Sequence, residues 1–224
     1  MSKHFPENFL WGSATASYQV EGGIENNDWA QGAREGQVPV CGLSSDHYHR
    51  FESDFDIVQS LGHNSHRFSI EWARIEPEEG KFDEKEIEHY LKVLQALNVR
   101  NITPVVTLWH FTLPLWFYEK GGFMHKDGAR VFARYCAYVV EKLGNEANMW
   151  VTINEPLIWA SQGFLKRNWP PYRRNFFSFL SATSALIRAH KLAYTAIKSV
   201  SATALVGIAK HNMYFYADSF AWNR

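Results

Sequence analysis

At 224 residues, 46% of them hydrophobic, the chain is long enough to bury a sizeable core as one domain or two small ones. Its 23 basic and 23 acidic residues balance, which excludes the charge excess that draws a protein to nucleic acid or an anionic membrane. Two cysteines, Cys41 and Cys136, cannot build a disulfide framework, and no apolar run nears the roughly 20 residues of a membrane span.

No charged and then apolar leader opens the chain, so a soluble, cytoplasmic protein is expected. Nine tryptophans could build a core or form platforms for sugar faces, and composition favours the core. Residues 9–16 run from apolar to small and read as a first buried strand leading into a loop, where Gly22 and Gly23 permit sharp turns. Residues 24–45, rich in Gly, Asn, Gln and Pro, read as a long surface loop, of a length that is usually functional. A helix from Asp46 carries Tyr48, Phe51, Phe55, Val58 and Leu61 at three- and four-residue steps, and Gly62 closes it. Residues 64–70 form the second strand, with Glu71 at its end.

Asp83 and Glu86 suit a capping box for a helix bearing Ile87, Tyr90, Leu91, Leu94 and Leu97. Residues 101–108 are nearly all apolar, as in a strand covered on both faces, and Trp109, His110 and Phe111 sit at its tip. Asp127 caps a helix with Phe132, Tyr135, Cys136, Val139, Val140 and Leu143 on one side, ended by Gly144. The β-branched run Val151, Thr152 and Ile153 makes a fourth strand. Pro156 ends it and biases Glu155 toward an extended backbone, so Asn154 and Glu155 stand side by side at the strand tip. Residues 176–199 form a further helix and 204–209 a fifth strand.

Strands and helices alternating in this order imply right-handed parallel crossovers, the pattern of a TIM (β/α)8 barrel. A full barrel needs eight units and about 250 residues. This chain is expected to hold an incomplete one, the first four βα units plus a fifth strand, with residues 1–224 as a single domain.

Polar side chains gather at the predicted strand ends: Gln19, Glu71, His110, Asn154 and Glu155. Each alone has an ordinary reading, such as a core histidine or a solvated carboxylate. There is no metal-ligand spacing, and Ser13, Ala14 and Thr15 follow Gly12 where a phosphate loop would need glycines, so no metal or cofactor is expected. A carboxyl among neutral hydrogen-bonding groups and aromatic rings suits a neutral polyhydroxyl substrate.

The run from Phe9 to Gly22, reading Phe-Leu-Trp-Gly-Ser-Ala-Thr-Ala-Ser-Tyr-Gln-Val-Glu-Gly, resembles the N-terminal signature of family 1 glycoside hydrolases, the β-glucosidase family. The segments at Asp46 to Arg50, Arg67 to Trp72, Thr107 to His110 and Thr152 to Pro156 are similar to that family in the same order. The resemblance implies a retaining exo-β-glycosidase with Glu155 as general acid/base. It further implies Asn154 on the sugar 2-hydroxyl, and Gln19 and His110 on other hydroxyls. Arg67 would lie near the nucleophile and keep it ionised, or form a purely structural ion pair.

Two departures stand out. Trp109 and Phe111 exchange the family's usual aromatic order, which bears on subsite shape. The family's nucleophile lies in a Thr-Glu-Asn-Gly-type motif, and this sequence contains none. The resemblance therefore implies an N-terminal half, inactive alone, that binds a β-linked glucoside or related sugar. It would meet a missing C-terminal half, or self-associate through its open barrel edges. The alternatives are a non-catalytic sugar-binding or assembly module, and an inverting enzyme using Glu71. Strand tips two apart lie roughly 10 Å from each other, near the inverting separation of about 6.5–9.5 Å.

Overall fold

In the computed structural model, which describes residues 4–214 and 216, five parallel strands form one sheet in the order β1-β2-β3-β4-β5. The strands are β1 (Gly12–Ala14), β2 (Ser65–Ser69), β3 (Thr103–Thr107), β4 (Met149–Asn154) and β5 (Leu205–Ala209). Each pairs only with its sequence neighbours, the topology of a βα barrel still open on two sides. Between β1 and β2 lie α1 (Ser17–Val20), α2 (Asp28–Arg34) and α3 (His47–Ser60). Between β2 and β3 lie α4 (Trp72–Ile75) and α5 (Glu84–Asn98). β3 leads into α6 (Leu115–Glu119) and α7 (Gly128–Leu143), and β4 into α8 (Pro156–Phe164) and α9 (Phe176–Val200).

The core lies where the middle strands meet α5, α7 and α9. On α7, Phe132, Tyr135, Cys136, Val139, Val140 and Leu143 are all buried, as their spacing predicts. Facing it, α9 presents Ala182, Ala185, Ala189 and Ala193, small residues that let two long helices approach closely. Trp72, Trp109 and Trp150 are fully buried, so these indoles build the core rather than sugar platforms.

Several expectations fail for identifiable reasons. The first strand was expected to be buried over residues 9–16, yet its ladder covers only Gly12–Ala14 and is exposed. As an edge strand it has a neighbour on one side only, so Phe9, Leu10 and Trp11 stay exposed. Gly12 is required there, because a Cβ would lie 2.2 Å from the Ser65 carbonyl oxygen. α3, beside this edge, buries Phe55 but leaves Leu61 exposed.

Residues 24–45 are not simply a surface loop. Asn27 caps α2, its Oδ1 accepting from the Ala30 N–H at 2.8 Å, and both Asn27 and Asp28 are buried. The expected capping box on α5 is half formed. Asp83 accepts from the Lys85 N–H at 2.9 Å, but Glu86 turns away to accept from the Tyr48 hydroxyl and ties α5 to α3. Asp127 does not cap α7 with its side chain; its carboxylate meets Arg130 instead. Among the described residues, no helix is long and apolar enough to cross a membrane.

Candidate active site

Of the polar residues expected at the strand tips, Asn154 and His110 join Arg67 in a hydrogen-bonded row that crosses β2, β3 and β4, with Glu155 next to Asn154 in the chain. From β2, Arg67 sends Nε to the Thr107 hydroxyl at 2.8 Å and its terminal nitrogen to Asn154 Oδ1 at 2.5 Å. Arginine only donates, so this bond settles which way the Asn154 amide lies. Its Nδ2 then has two hydrogens, and one points to His110 Nε2 at 3.3 Å. The other has no partner among the described residues.

His110 must accept on Nε2, so its hydrogen sits on Nδ1, which is buried and has no partner among the described residues. Burial, reinforced by the Arg67 charge, pulls the His110 pKa down to about 4, so the ring is neutral at neutral pH. Burial also pulls the Arg67 pKa down, and the Glu155 carboxylate opposes that. Arg67 forms no ion pair within 4.0 Å among the described residues. Its directed bonds go to neutral groups, so the structural ion pair considered for it is not found.

Glu155 follows Asn154 but is not extended, as the proline rule predicts. It has φ 43° and ψ 60°, in the left-handed region. A tertiary bond and the start of α8 together override that bias. Its N–H donates to the Ala209 carbonyl at 2.7 Å, while its own carbonyl accepts from Ile158 and Trp159 at the start of α8. Pro156 occupies the first turn of that helix, where its missing N–H costs nothing. A non-glycine residue held there stores on the order of 1–3 kcal/mol of strain, a feature that clusters at functional sites. The Glu155 carboxylate lies 3.8 Å from His211 Nδ1, a neighbour that no periodicity or motif pointed to.

Gln19 stands apart. It is exposed on α1, and its side chain makes no hydrogen bond among the described residues. The helix beneath it is tightly held. The Ser17 N–H and hydroxyl donate to Ser69 Oγ and Glu71 Oε2 at 2.8 and 2.9 Å, and Glu21 accepts from Arg74 and Tyr90. The His110 turn is anchored as firmly. Asp28 and Leu113 exchange two bonds at 3.0 and 2.8 Å, and Trp109 Nε1 donates to the Thr112 carbonyl at 2.9 Å. The signal for Asp28 was the Asn27-Asp28 pair before Trp29-Ala30, a helix start hidden in loop-like composition.

Glu71 belongs to a different environment. It is fully buried, and its carboxylate accepts from Ser17, Asn27 and Thr112. Neither water nor a sugar reaches it, so it cannot serve as the second carboxyl of an inverting pair. Ser69 joins this network through Ser17, whereas Arg67 turns to Thr107 and Asn154. Among the described residues, no group of three or more His, Cys, Asp or Glu could hold a metal ion.

The sequence pattern of Glycosyl hydrolase family 1 matches residues 1–220. The chain belongs to this family. It is 35% identical to beta-glucosidase A of Thermotoga maritima over 223 residues, covering 95% of this chain and 50% of that protein. To the 1,4-beta-D-glucan glucohydrolase of Thermotoga neapolitana it is 34% identical over 223 residues, again covering 95% of this chain and 52% of the other. The solved beta-glucosidase from Thermotoga maritima in complex with deoxynojirimycin superposes with a TM-score of 0.93 at 34% identity. That match covers 98% of this chain and 53% of the other. The beta-glycosidase from Pyrococcus horikoshii gives 0.84 at 38% identity, over 92% of this chain and 48% of its own. The chain thus spans about half the length of the relatives it matches, and its open five-stranded sheet is an incomplete form of their barrel. Within the family frame, the exchanged aromatic pair has a simple description. Trp109 is a core residue with its indole N–H satisfied, and Phe111, at φ 76°, packs on Trp169 with centroids 4.9 Å apart.

Proposed function

We propose that this chain is the N-terminal half of a retaining exo-β-glycosidase that acts on β-linked glucosides or related sugars. The observation that supports it best is the row Arg67–Asn154–His110 beside Glu155, in a chain of this family. Glu155 protonates the glycosidic oxygen while a nucleophile from strands outside this sequence attacks the anomeric carbon. It then takes a proton from the water that releases the sugar. Retention requires the two carboxyls about 5–5.5 Å apart. The free N–H of Asn154 binds the sugar 2-hydroxyl, and His110 binds a neighbouring hydroxyl by giving up its long contact to Asn154. Gln19 closes on the sugar from α1. Arg67 provides the positive charge that keeps the incoming nucleophile ionised.

Residues 1–224 act as one domain, and without its complement that domain hydrolyses essentially nothing. Exposed Phe9, Leu10 and Trp11 at β1, and Leu205 and Ile208 at β5, are the surfaces that the remaining barrel strands, or a second copy, would cover. The free thiols of Cys41 and Cys136 support a reducing, cytoplasmic setting.

The test uses three samples: the purified chain, the chain mixed with a C-terminal segment bearing a Thr-Glu-Asn-Gly motif, and that mixture carrying Glu155→Gln. Turnover of aryl β-glucosides is expected in the second alone, with Glu155→Gln costing about 10²–10⁴-fold when the leaving group is poor. Turnover by the chain alone, abolished by Glu155→Gln, would refute the half-enzyme reading. An assembled but inactive mixture that still binds sugar would favour a non-catalytic module.

A further inference from the structure

The backbone of Glu155 is fixed at both ends, while its carboxyl is not. Its N–H is bonded to Ala209 and its carbonyl caps α8. Among the described residues the carboxylate accepts no hydrogen bond. A proton donor has to be aimed, because a misplacement near 1 Å can cost on the order of 10²-fold in rate. The groups around Glu155 leave few candidates for the aiming. Arg67 on β2 acts on it through charge, but the bonds it makes are spent on Thr107 and Asn154. His110, after β3, is neutral and turned to Asn154. His211, two residues beyond β5, brings Nδ1 to 3.8 Å from Glu155 Oε1.

That approach is built into the sheet. The β4–β5 register shifts between Val151 and Asn154, setting Asn154 opposite Ala209. The same shift lets the Glu155 N–H reach the Ala209 carbonyl and carries the chain on, two residues later, to the carboxylate. One irregularity therefore positions both partners. At 3.8 Å the pair is beyond hydrogen-bond length, as unliganded catalytic contacts often are, and a small side-chain rotation or one bridging water closes it. Both side chains remain partly open, at 41% for His211 and 33% for Glu155.

We infer that His211 is a positioning residue for Glu155, donating to Oε1 so that Oε2 is held toward the glycosidic oxygen. This rests on Glu155 being the acid/base proposed above. The role predicts a particular pattern of loss. Where the departing alcohol needs a proton, aiming matters; where it leaves as a stable anion, aiming matters little.

The experiment compares His211→Ala, His211→Asn and Glu155→Gln in the assembled enzyme, using an alkyl β-glucoside and a dinitrophenyl β-glucoside. His211→Ala should lower kcat/KM about 10-fold for the alkyl glucoside and less than about 2-fold for the dinitrophenyl one, a modest share of general acid catalysis. His211→Asn, which restores an N–H donor, should recover most of the loss. Equal losses on both substrates, no loss on either, or no recovery by asparagine would overturn the assignment. Glu155→Gln separates the two claims. If it too shows no leaving-group dependence, the acid/base reading fails; if it does and His211→Ala does not, only this inference fails.

Discussion

Two carboxylates stand just beyond β2 and β4, with β3 between those strands, and their surroundings differ in kind. Glu71 is enclosed, with Ser17, Asn27 and Thr112 all donating to it. Glu155 is half open, carries backbone strain, and has no hydrogen-bond donor on its carboxyl among the described residues. Nearby, His110 Nδ1 and one Asn154 N–H are also unpaired among the described residues. A saturated network has no capacity left for a ligand and acts through stability. A row of groups with spare donors does. Such incompleteness costs folding energy, and it is tolerated where a substrate supplies the missing partners.

The sharpest way to break this comparison is to remove Glu71. Glu71→Ala would leave three buried donors without their acceptor, and unsatisfied buried groups cost about 1–3 kcal/mol each. A loss of about 3–5 kcal/mol is expected, read as a lower urea midpoint of the purified chain with little change in slope. A neutral effect on stability would show that the network is not structural and would reopen a chemical role for Glu71.

Asn154→Ala should behave in the opposite way. It removes an acceptor from Arg67, which keeps Thr107, and a weak donor from His110. Stability should fall by about 1 kcal/mol. With Asn154 in its proposed role on the sugar 2-hydroxyl, a contact that strengthens in the transition state, kcat/KM of the assembled enzyme should fall about 10²-fold or more. A large stability loss with little kinetic loss would place Asn154 among the structural residues.

The contrast also explains what could be read from the sequence. The strand order was legible because β3 and β4 are apolar and β-branched, a local signal that survives folding. His110 and Asn154 could be placed at strand tips from the predicted strands, and motifs resembling a family added Arg67, but neither signal joins the three in one hydrogen-bonded row. The closed network was hidden because its bonds join distant positions, such as Ser17 and Glu71, 54 residues apart. Asn27 and Asp28 lay in a stretch whose composition looks like loop. For Glu155 a valid local rule was outweighed by one tertiary bond, to the Ala209 carbonyl, together with the start of α8. Periodicity reports which face is buried; it does not report what a buried polar group finds there.

The two regions should also answer pH with opposite signs, although the effects are smaller. The folded chain lowers the pKa of His110 to about 4, chiefly by burial, from an ordinary 6.5. The unfolded chain therefore takes up this proton first, and the contribution of His110 is complete above about pH 6.5 and is lost as the pH falls toward 4. In the closed network, burial raises Glu21 from 4.5 to about 7, against the pull of Arg74 and Tyr90. Here the folded chain holds the proton more tightly, so the contribution is complete below about pH 4.5 and is lost as the pH rises through 7. Urea unfolding between pH 8 and 5 separates the two. Relative to the parent, His110→Gln should gain about 1 kcal/mol at pH 5 over its value at pH 8, after allowing for the partial exposure of the ring. Glu21→Gln should shift the other way, with its relative stability improving as the pH rises. Parallel curves for the parent and His110→Gln would mean that the ring is not held neutral by its surroundings, and the open row would lose the feature that distinguishes it electrostatically from the closed one.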